Sequence, residues 1–160
     1  GMEVHSTMNK RNQRGFTLIE LLIVVAIIGI IAAIAIPNLL NAIQRGKQKR
    51  TMSDLRSIGT AIESYQVDNG VPPNEQSGDV LTKLREHLAP TFIKRLPDGD
   101  AWRVGFQWIH DTGGDEYTVY SMGKNRSADT PTATGPTSLF DADIYYSDGQ
   151  FTVYPDGTQN

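Results

Sequence analysis

One uninterrupted apolar segment constrains this chain more than any other feature. The segment runs from Phe16 to Ile36, and Glu20 is its single charged residue. As an α-helix, its roughly 21 residues would measure about 31 Å, which is enough to cross the hydrocarbon core of a bilayer. The segment therefore predicts one membrane-spanning helix close to the N-terminus.

The charges on either side of the apolar segment predict its orientation. Residues 1–15 contain Lys10, Arg11 and Arg14 against one acid, Glu3, whereas the whole chain has a net charge of −3. Short basic flanks stay in the cytoplasm, so the remainder of the chain is expected on the far side of the membrane. Because that remainder is acidic, we expect no nucleic-acid partner.

Glu20 is unusual because charged side chains are costly inside a membrane. An acidic residue at mid-membrane costs about 2.5–3.5 kcal/mol on insertion scales, and the segment contains no Lys, Arg or His as a partner. Cleavage after Gly15 would give Phe16 a free α-ammonium group only four residues from Glu20. Two alternatives stay open: Glu20 lies near the hydrated interface, or the segment is a plain single-span anchor.

Small residues and one proline suggest that the apolar helix packs against other helices. Gly29 and several alanines allow close helix approach, and Pro37 is expected to kink or loosen the helix between Gly29 and Pro37. An apolar helix leaves lipid only if another apolar surface replaces the lipid. A filament with many such helices in its core satisfies that requirement.

Residues 14–20, RGFTLIE, resemble the processing site of type IV pilins and type II secretion pseudopilins, and the resemblance continues through Ala42. It implies that a prepilin peptidase cleaves between Gly15 and Phe16 and then N-methylates Phe16. It also implies that Glu20 neutralises the terminal amine of a neighbouring subunit during assembly.

The rest of the sequence predicts an α+β, pilin-like domain. The long helix is expected to continue to about residue 69, with an apolar stripe of Leu55, Ile58, Ile62 and Tyr65. We expect a short helix near 79–89, capped by Asp79, and an antiparallel sheet of about four strands over about 102–154. The predicted organisation is a cleaved leader (1–15), a transmembrane or filament-core helix (16–37) and a soluble domain (38–160).

Two further segments suggest a calcium site by resemblance. Residues 120–123, YSMG, and 141–144, DADI, are similar to segments that together hold Ca²⁺ in major pseudopilins. The resemblance implies carboxylate oxygens from Asp141 and Asp143 and the backbone carbonyl of Met122. Asn125 stands where the family usually has Asp, and losing a charge weakens a calcium site. Solvated loop acids are the alternative interpretation.

No pattern in the sequence predicts an enzyme. The chain has no cysteine, its three histidines are far apart, and it contains no nucleophile elbow, phosphate loop or dinucleotide fingerprint. Residues 111–113, Asp-Thr-Gly, match the aspartic-protease tripeptide, but that chemistry needs a second carboxylate from a second such tripeptide, which is absent.

The resemblance is closest to the major pseudopilin of type II secretion, and it implies a structural role. The expected subunit lies in the bacterial inner membrane, with its C-terminal domain in the periplasm, and then joins a periplasmic fibre that drives protein export. Expected partners are further copies of the chain, prepilin peptidase, the assembly platform with its ATPase, minor pseudopilins and, before assembly, membrane lipid. Alternatives are a surface type IV pilin for adhesion, motility or DNA uptake, and a membrane-anchored binding module.

Overall fold

The computed structural model describes residues 1–4, 12–110, 113–131 and 133–160. Residues 5–11 of the predicted leader lie outside the described residues, as do Asp111 and Thr112 of the Asp-Thr-Gly tripeptide. The chain divides into two compact units, Gly1–Asn38 and Leu39–Asn160. The units are described separately below.

The first unit contains the start of helix α1, which runs from Leu18 to Asn69. Side chains from Leu18 to Asn38 are exposed, apart from half-buried Ala32, and the helix is long and apolar enough to span a membrane. Although Pro37 has no N–H to donate, the α1 assignment is continuous through Gly29 and Pro37. The Asn38 side-chain amide donates to the Ile34 carbonyl at 3.2 Å, next to the proline. Loosening of the helix between Gly29 and Pro37 stays a prediction.

In the second unit, α1 buries the apolar stripe that its sequence predicts. Leu55, Ile58 and Ile62 are fully buried, while Tyr65 is half-buried against the same core. Gly59 lies on this face beside the ring of Tyr146, where only a residue without a side chain fits. These contacts confirm that the stripe packs on a sheet.

Helix α2 runs from Val80 to Leu88 and has a side-chain cap at its N-terminus. Asp79 caps it, since the Asp79 carboxylate accepts the Thr82 N–H at 3.0 Å. Val80, Leu84 and Leu88 are buried at helical spacing and join the core with α1. The capping role predicted for Asp79 is confirmed.

A six-stranded sheet completes the core, and its order is β1-β2-β3-β5-β6-β4. All neighbouring strands are antiparallel except β4 and β6, which are parallel. The α+β class is therefore confirmed. The strands are β1 Gly78–Asp79, β2 Gln107–His110, β3 Tyr117–Ser121, β4 Gly135–Thr137, β5 Ile144–Ser147 and β6 Gln150–Pro155.

The sheet has two more strands than the four expected from sequence. The additional strands, β1 and β4, have two and three residues and lie at the two edges. Segments this short cannot show the alternation of apolar and polar residues that identifies a strand. Longer strands do show it, because Tyr117 and Val119 of β3 are buried whereas Thr118 and Tyr120 are half-buried.

Candidate functional site

The first turn of α1 is closed by two reciprocal hydrogen bonds. The Thr17 N–H donates to Glu20 Oε2 at 3.0 Å, and the Glu20 N–H donates to Thr17 Oγ1 at 3.2 Å. This is a capping box, in which two N–H groups that the helix leaves unpaired are satisfied by side chains. Glu20 therefore has a hydrogen-bond partner within its own chain, and its charge lies at the positive end of the helix dipole.

Thr17 is a site residue that the sequence analysis did not single out. The signal was present, because Thr followed three residues later by Glu ahead of an apolar run is the signature of a capping box. The structure thus adds a local role for Glu20 to the predicted assembly role, which stays a prediction.

The predicted cleavage bond lies in accessible backbone. Gly15 and Phe16 precede α1 in non-helical conformation, and Phe16 is 91% exposed. A Cβ added at Gly15 would meet no atom within 4 Å, and the same holds for Gly29 within the helix. Packing against the described residues therefore does not require glycine at either position.

The two segments predicted to bind calcium are neighbours in the fold. The Lys124 N–H donates to the Phe140 carbonyl at 3.1 Å. Gly123 has φ +70°, and an added Cβ would lie 2.6 Å from the Asp141 carbonyl oxygen and 2.7 Å from that of Ala142. Glycine is required here because the two loops approach each other so closely.

A cavity of about 480 Å³, lined mostly by described residues between 129 and 143, collects most of the predicted ligands. Asn125, Asp141 and Asp143 line it, together with Asp129, which the sequence analysis missed because it lies in a polar loop without a motif. Met122 does not line this cavity. The structure thus brings three of the four predicted residues together and leaves the fourth apart.

Asp143 is the most constrained of the cavity aspartates. It is 3% exposed, and its Oδ2 accepts the Asp129 N–H at 2.9 Å. Its Oδ1 is buried without a hydrogen-bond partner among the described residues. Burial raises the pKa of Asp143 to about 6, because the charged form is poorly solvated. A cation on Oδ1 would remove that penalty.

The cavity is nevertheless not a formed metal cage. Within the described residues, no group of three or more His, Cys, Asp or Glu side chains is placed to hold a metal ion. The aspartates therefore share a cavity without converging on one point. Oxygen donors are the ligand type that Ca²⁺ takes, and Ca²⁺ needs six to eight of them.

An exposed apolar helix with a capped first turn, in one chain with an α+β unit, is the arrangement of pilin-like proteins. In agreement, the model of the prokaryotic N-terminal methylation motif matches residues 10–36. The model of type II secretion system protein G matches residues 38–136. The chain belongs to the type II secretion system protein G family, which confirms the resemblance seen in its sequence.

Curated relatives support the family over most of their length. The chain is 32% identical to type II secretion system core protein G of Aeromonas hydrophila over 142 residues, covering 84% of this chain and 99% of the relative. It is also 32% identical to core protein G of Vibrio cholerae over 120 residues, covering 71% and 82% of the two chains. No solved structure matches the chain significantly.

Proposed function

We propose that this chain is the structural subunit of a type II secretion pseudopilus. It is inserted in the inner membrane, cleaved between Gly15 and Phe16, methylated on Phe16 and polymerised into a periplasmic fibre that drives protein export. One observation carries the proposal: the apolar side chains of α1 from Leu18 to Asn38 are exposed, apart from half-buried Ala32, and find no partner among the described residues of their unit. Such a surface needs lipid before assembly and other copies of itself afterwards.

Cleavage would change the partner of Glu20. Before cleavage, the Thr17 N–H donates to the Glu20 carboxylate, and the Thr17 hydroxyl oxygen accepts the Glu20 N–H. After cleavage, the α-ammonium of Phe16 on a neighbouring subunit would be a charged donor, and charge-assisted hydrogen bonds are roughly twice as strong as neutral ones. Exchange of the weaker partner for the stronger one would favour entry of a subunit into the fibre.

Processing is tested with the full chain in a host that has a type II secretion system. Gly15→Ala should sharply reduce cleavage, whereas Gly29→Ala, a matched glycine in open surroundings, should leave it normal. The mature mass should correspond to a chain that begins at methylated Phe16. Normal maturation of the Gly15→Ala protein would contradict peptidase recognition at this bond.

Assembly is tested separately with Glu20→Ala. This protein should be inserted and cleaved but should give little fibre, because the terminal amine of the neighbour loses its carboxylate partner. Fibre yield is measured by chemical crosslinking in cells, with membrane insertion and mature mass as controls. Wild-type yield from the Glu20→Ala protein would remove Glu20 from assembly. Gly29 and Pro37 are proposed to assist by close packing and by loosening of the helix.

The proposed fibre needs the other parts of a secretion system. We expect prepilin peptidase, an inner-membrane assembly platform with its ATPase, and minor pseudopilins as partners, with the C-terminal domain in the periplasm. Mechanical shearing of cells followed by immunoblotting separates this location from a surface pilus. Release of the subunit at native expression would favour a surface type IV pilin, and its retention supports the periplasmic fibre.

The cavity lined by Asn125, Asp141 and Asp143 is proposed to bind Ca²⁺ through the two aspartates, with the Asn125 amide oxygen as a further donor. Met122 does not line the cavity, so its carbonyl is left out of the proposed donor set. The unpaired Oδ1 of buried Asp143 supports this donor set. At 100 times its dissociation constant, bound Ca²⁺ would stabilise the fold by about 2.7 kcal/mol and would tie the two loops together.

Calcium binding is tested by the melting temperature of the full chain in detergent, followed by tryptophan fluorescence. CaCl₂ should raise it and MgCl₂ should not, because Mg²⁺ demands a tighter octahedral site. Asp143→Asn should abolish the increase, while exposed Asp68→Asn should preserve it. An unchanged melting temperature in CaCl₂ would refute this part of the proposal.

A further inference from the structure

A short stretch of α1 in the second unit has many unpaired cations. Arg45, Lys47, Lys49 and Arg50 occur within six residues, with no acidic residue among them. The two ion pairs found among the described residues are His87–Glu75 and Arg95–Asp98, so none of the four cations is in a direct ion pair there. Arg50 is near one carboxylate, Asp54, whose pKa it lowers although burial raises that pKa overall. This basic segment therefore has positive charge available for another molecule.

The same unit has a surface cavity of opposite charge. The cavity measures about 470 Å³, and its lining includes four carboxylates and no Lys or Arg among the described residues. We call it the acidic cavity. Its lining residues are Glu63, Gln66, Asp115, Glu116, Tyr117, Asp148 and Gly149.

Two of these carboxylates are already engaged within the chain, and two are free. The Tyr117 hydroxyl donates to Glu63 Oε1 at 2.7 Å, and the Tyr117 N–H donates to Asp148 Oδ1 at 3.0 Å. Burial and Glu63 raise the pKa of Tyr117 far above its usual range, so the hydroxyl remains a donor. Asp115 and Glu116 are exposed and make no side-chain hydrogen bond within the described residues.

Helix geometry places part of the basic segment opposite the acidic cavity. At about 100° per residue, Glu63 lies about 160° around α1 from Lys47 and about 220° from Arg50. Lys47 and Arg50 therefore project from one side of the helix and Glu63 from the other. At 1.5 Å per residue, the offset along the axis between them is about 20–24 Å.

Opposite charges on opposite sides fit a second copy of the chain better than they fit the same copy. Two parallel copies placed side by side, one shifted by about 20–24 Å, would bring the Lys47–Arg50 side of one against the acidic cavity of the other. The basic side and the acidic cavity are different surfaces, so each copy that uses one of them still has the other free to bind a further copy. Contacts of this kind are heterologous, and they continue into open helical filaments when rotation does not close a ring.

We infer that Lys47 and Arg50 of one subunit bind the acidic cavity of the next subunit, through the free carboxylates of Asp115 and Glu116. This inference rests on the proposed function, since it requires parallel copies in a fibre. The contact would set the axial shift between neighbours, because charge pairs fix register and disfavour wrong alignments. Anionic lipid headgroups are the competing partner for the basic segment.

Charge reversal of exposed residues tests the inference in cells that make only the altered full chain. Arg50→Glu and Glu116→Lys should each lower crosslinked fibre by about tenfold, because like charges then meet at every subunit contact. The double variant should restore most of the yield. Ser127→Lys, an exposed change outside the acidic cavity, is the control and should assemble normally.

A thiol pair gives a second measurement that does not depend on reversed charge. The chain contains no cysteine, so Arg50→Cys with Glu116→Cys introduces the only two thiols. A short bis-maleimide should join them into a ladder of multimers, whereas either single variant should give little crosslinking. A closed pair of subunits would stop at dimers and would overturn the open arrangement.

The possible failures are distinguishable from one another. If wild-type chain is unprocessed and forms no fibre, the proposed function itself fails. If wild-type fibre forms and the double charge reversal is no better than either single change, the contact is wrong. Loss of fibre in Arg50→Glu alone, with Glu116→Lys normal and no rescue, would instead assign the basic segment to lipid.

Discussion

Replacing Gly59 with alanine should destabilise the soluble unit although alanine is the better helix former. A Cβ at this position would overlap Tyr146 Cε1 and lie 2.6 Å from Cδ1. The ring cannot easily move away, because Tyr146 is 4% exposed and packs edge-on against Phe151, with ring centroids 5.0 Å apart. One methyl group must therefore displace either the ring or the helix.

Two opposing contributions determine the size of the effect. Overpacking a core costs about 1–3 kcal/mol, while Gly to Ala in a helix gains about 1 kcal/mol. The net expectation is a loss of about 1 kcal/mol and a melting temperature lower by about 5 °C. Gly46→Ala is the matched control, since it lies in α1 with no atom within 4 Å of its Cβ, and it should raise the melting temperature.

Tryptophan fluorescence of the full chain in detergent is a suitable assay, because Trp102 and Trp108 are both buried in the second unit. Tyr146→Leu provides the test of mechanism. In that background Gly59→Ala should become neutral or stabilising, because the ring that opposes the methyl group is gone. If Gly59→Ala alone raises the melting temperature as much as Gly46→Ala does, the close packing of α1 on β5 is refuted.

Three further changes test separate contacts. Tyr117→Phe should lower the free energy of unfolding in urea by about 1.5–3 kcal/mol, because the hydrogen bond to the Glu63 carboxylate is lost. Thr17→Ala should destabilise the start of α1 by about 1 kcal/mol and speed hydrogen exchange of the Glu20 amide. Thr17→Ser keeps the hydroxyl, so helix stability and the exchange rate should stay at their wild-type values. Gly123→Ala should cost about 2 kcal/mol or more in urea, because strain at φ +70° adds to overlap with two carbonyls. Gly157→Ala, with the same φ and open space around its Cβ, should show the strain alone.

The helices were the predictable part of the fold. An apolar stripe at intervals of three and four residues determines which side of α1 is buried, and Leu55, Ile58 and Ile62 follow it. The cap of α2 was equally visible, because Asp79 precedes an apolar pattern with helical spacing. Such features depend on residues within one or two turns, so the sequence alone is sufficient.

Contacts between distant segments were not predictable in the same way. Gln44, Gln48 and Thr51 extend the buried side of α1 with polar residues, each bonded to a loop or to the C-terminal tail. The Gln48 side-chain amide donates to the side-chain Oε1 of Gln159 at 3.1 Å, across 111 residues of sequence. Nothing local distinguishes such a glutamine from a solvated one, because its partner exists only after the loops have folded.

The candidate sites divide along the same line. Thr17 and Glu20 form a local motif, and their spacing of three residues is enough to predict it from the sequence. Asp129 could not be assigned to the cavity, because its polar loop has no periodic pattern and Asp143 lies 14 residues later. The acidic cavity could not be predicted either, since its carboxylates come from α1, from the loop just before β3 and from the β5–β6 turn.

One periodicity accounts for both burial and assembly in the second unit. The core occupies one side of α1, so the flanking sides must remain solvated in a free subunit, and charge keeps them soluble. Cations lie on one flank of α1 and the carboxylate of Glu63 lies on the other, so both flanks stay solvated. The opposite charges also make the flank of one copy attract the opposite flank of another copy. Exposed pairs of this kind are individually weak, at about 0–1 kcal/mol. Weak pairs would leave the free subunit monomeric yet add up along a fibre whose apolar helices are already packed together.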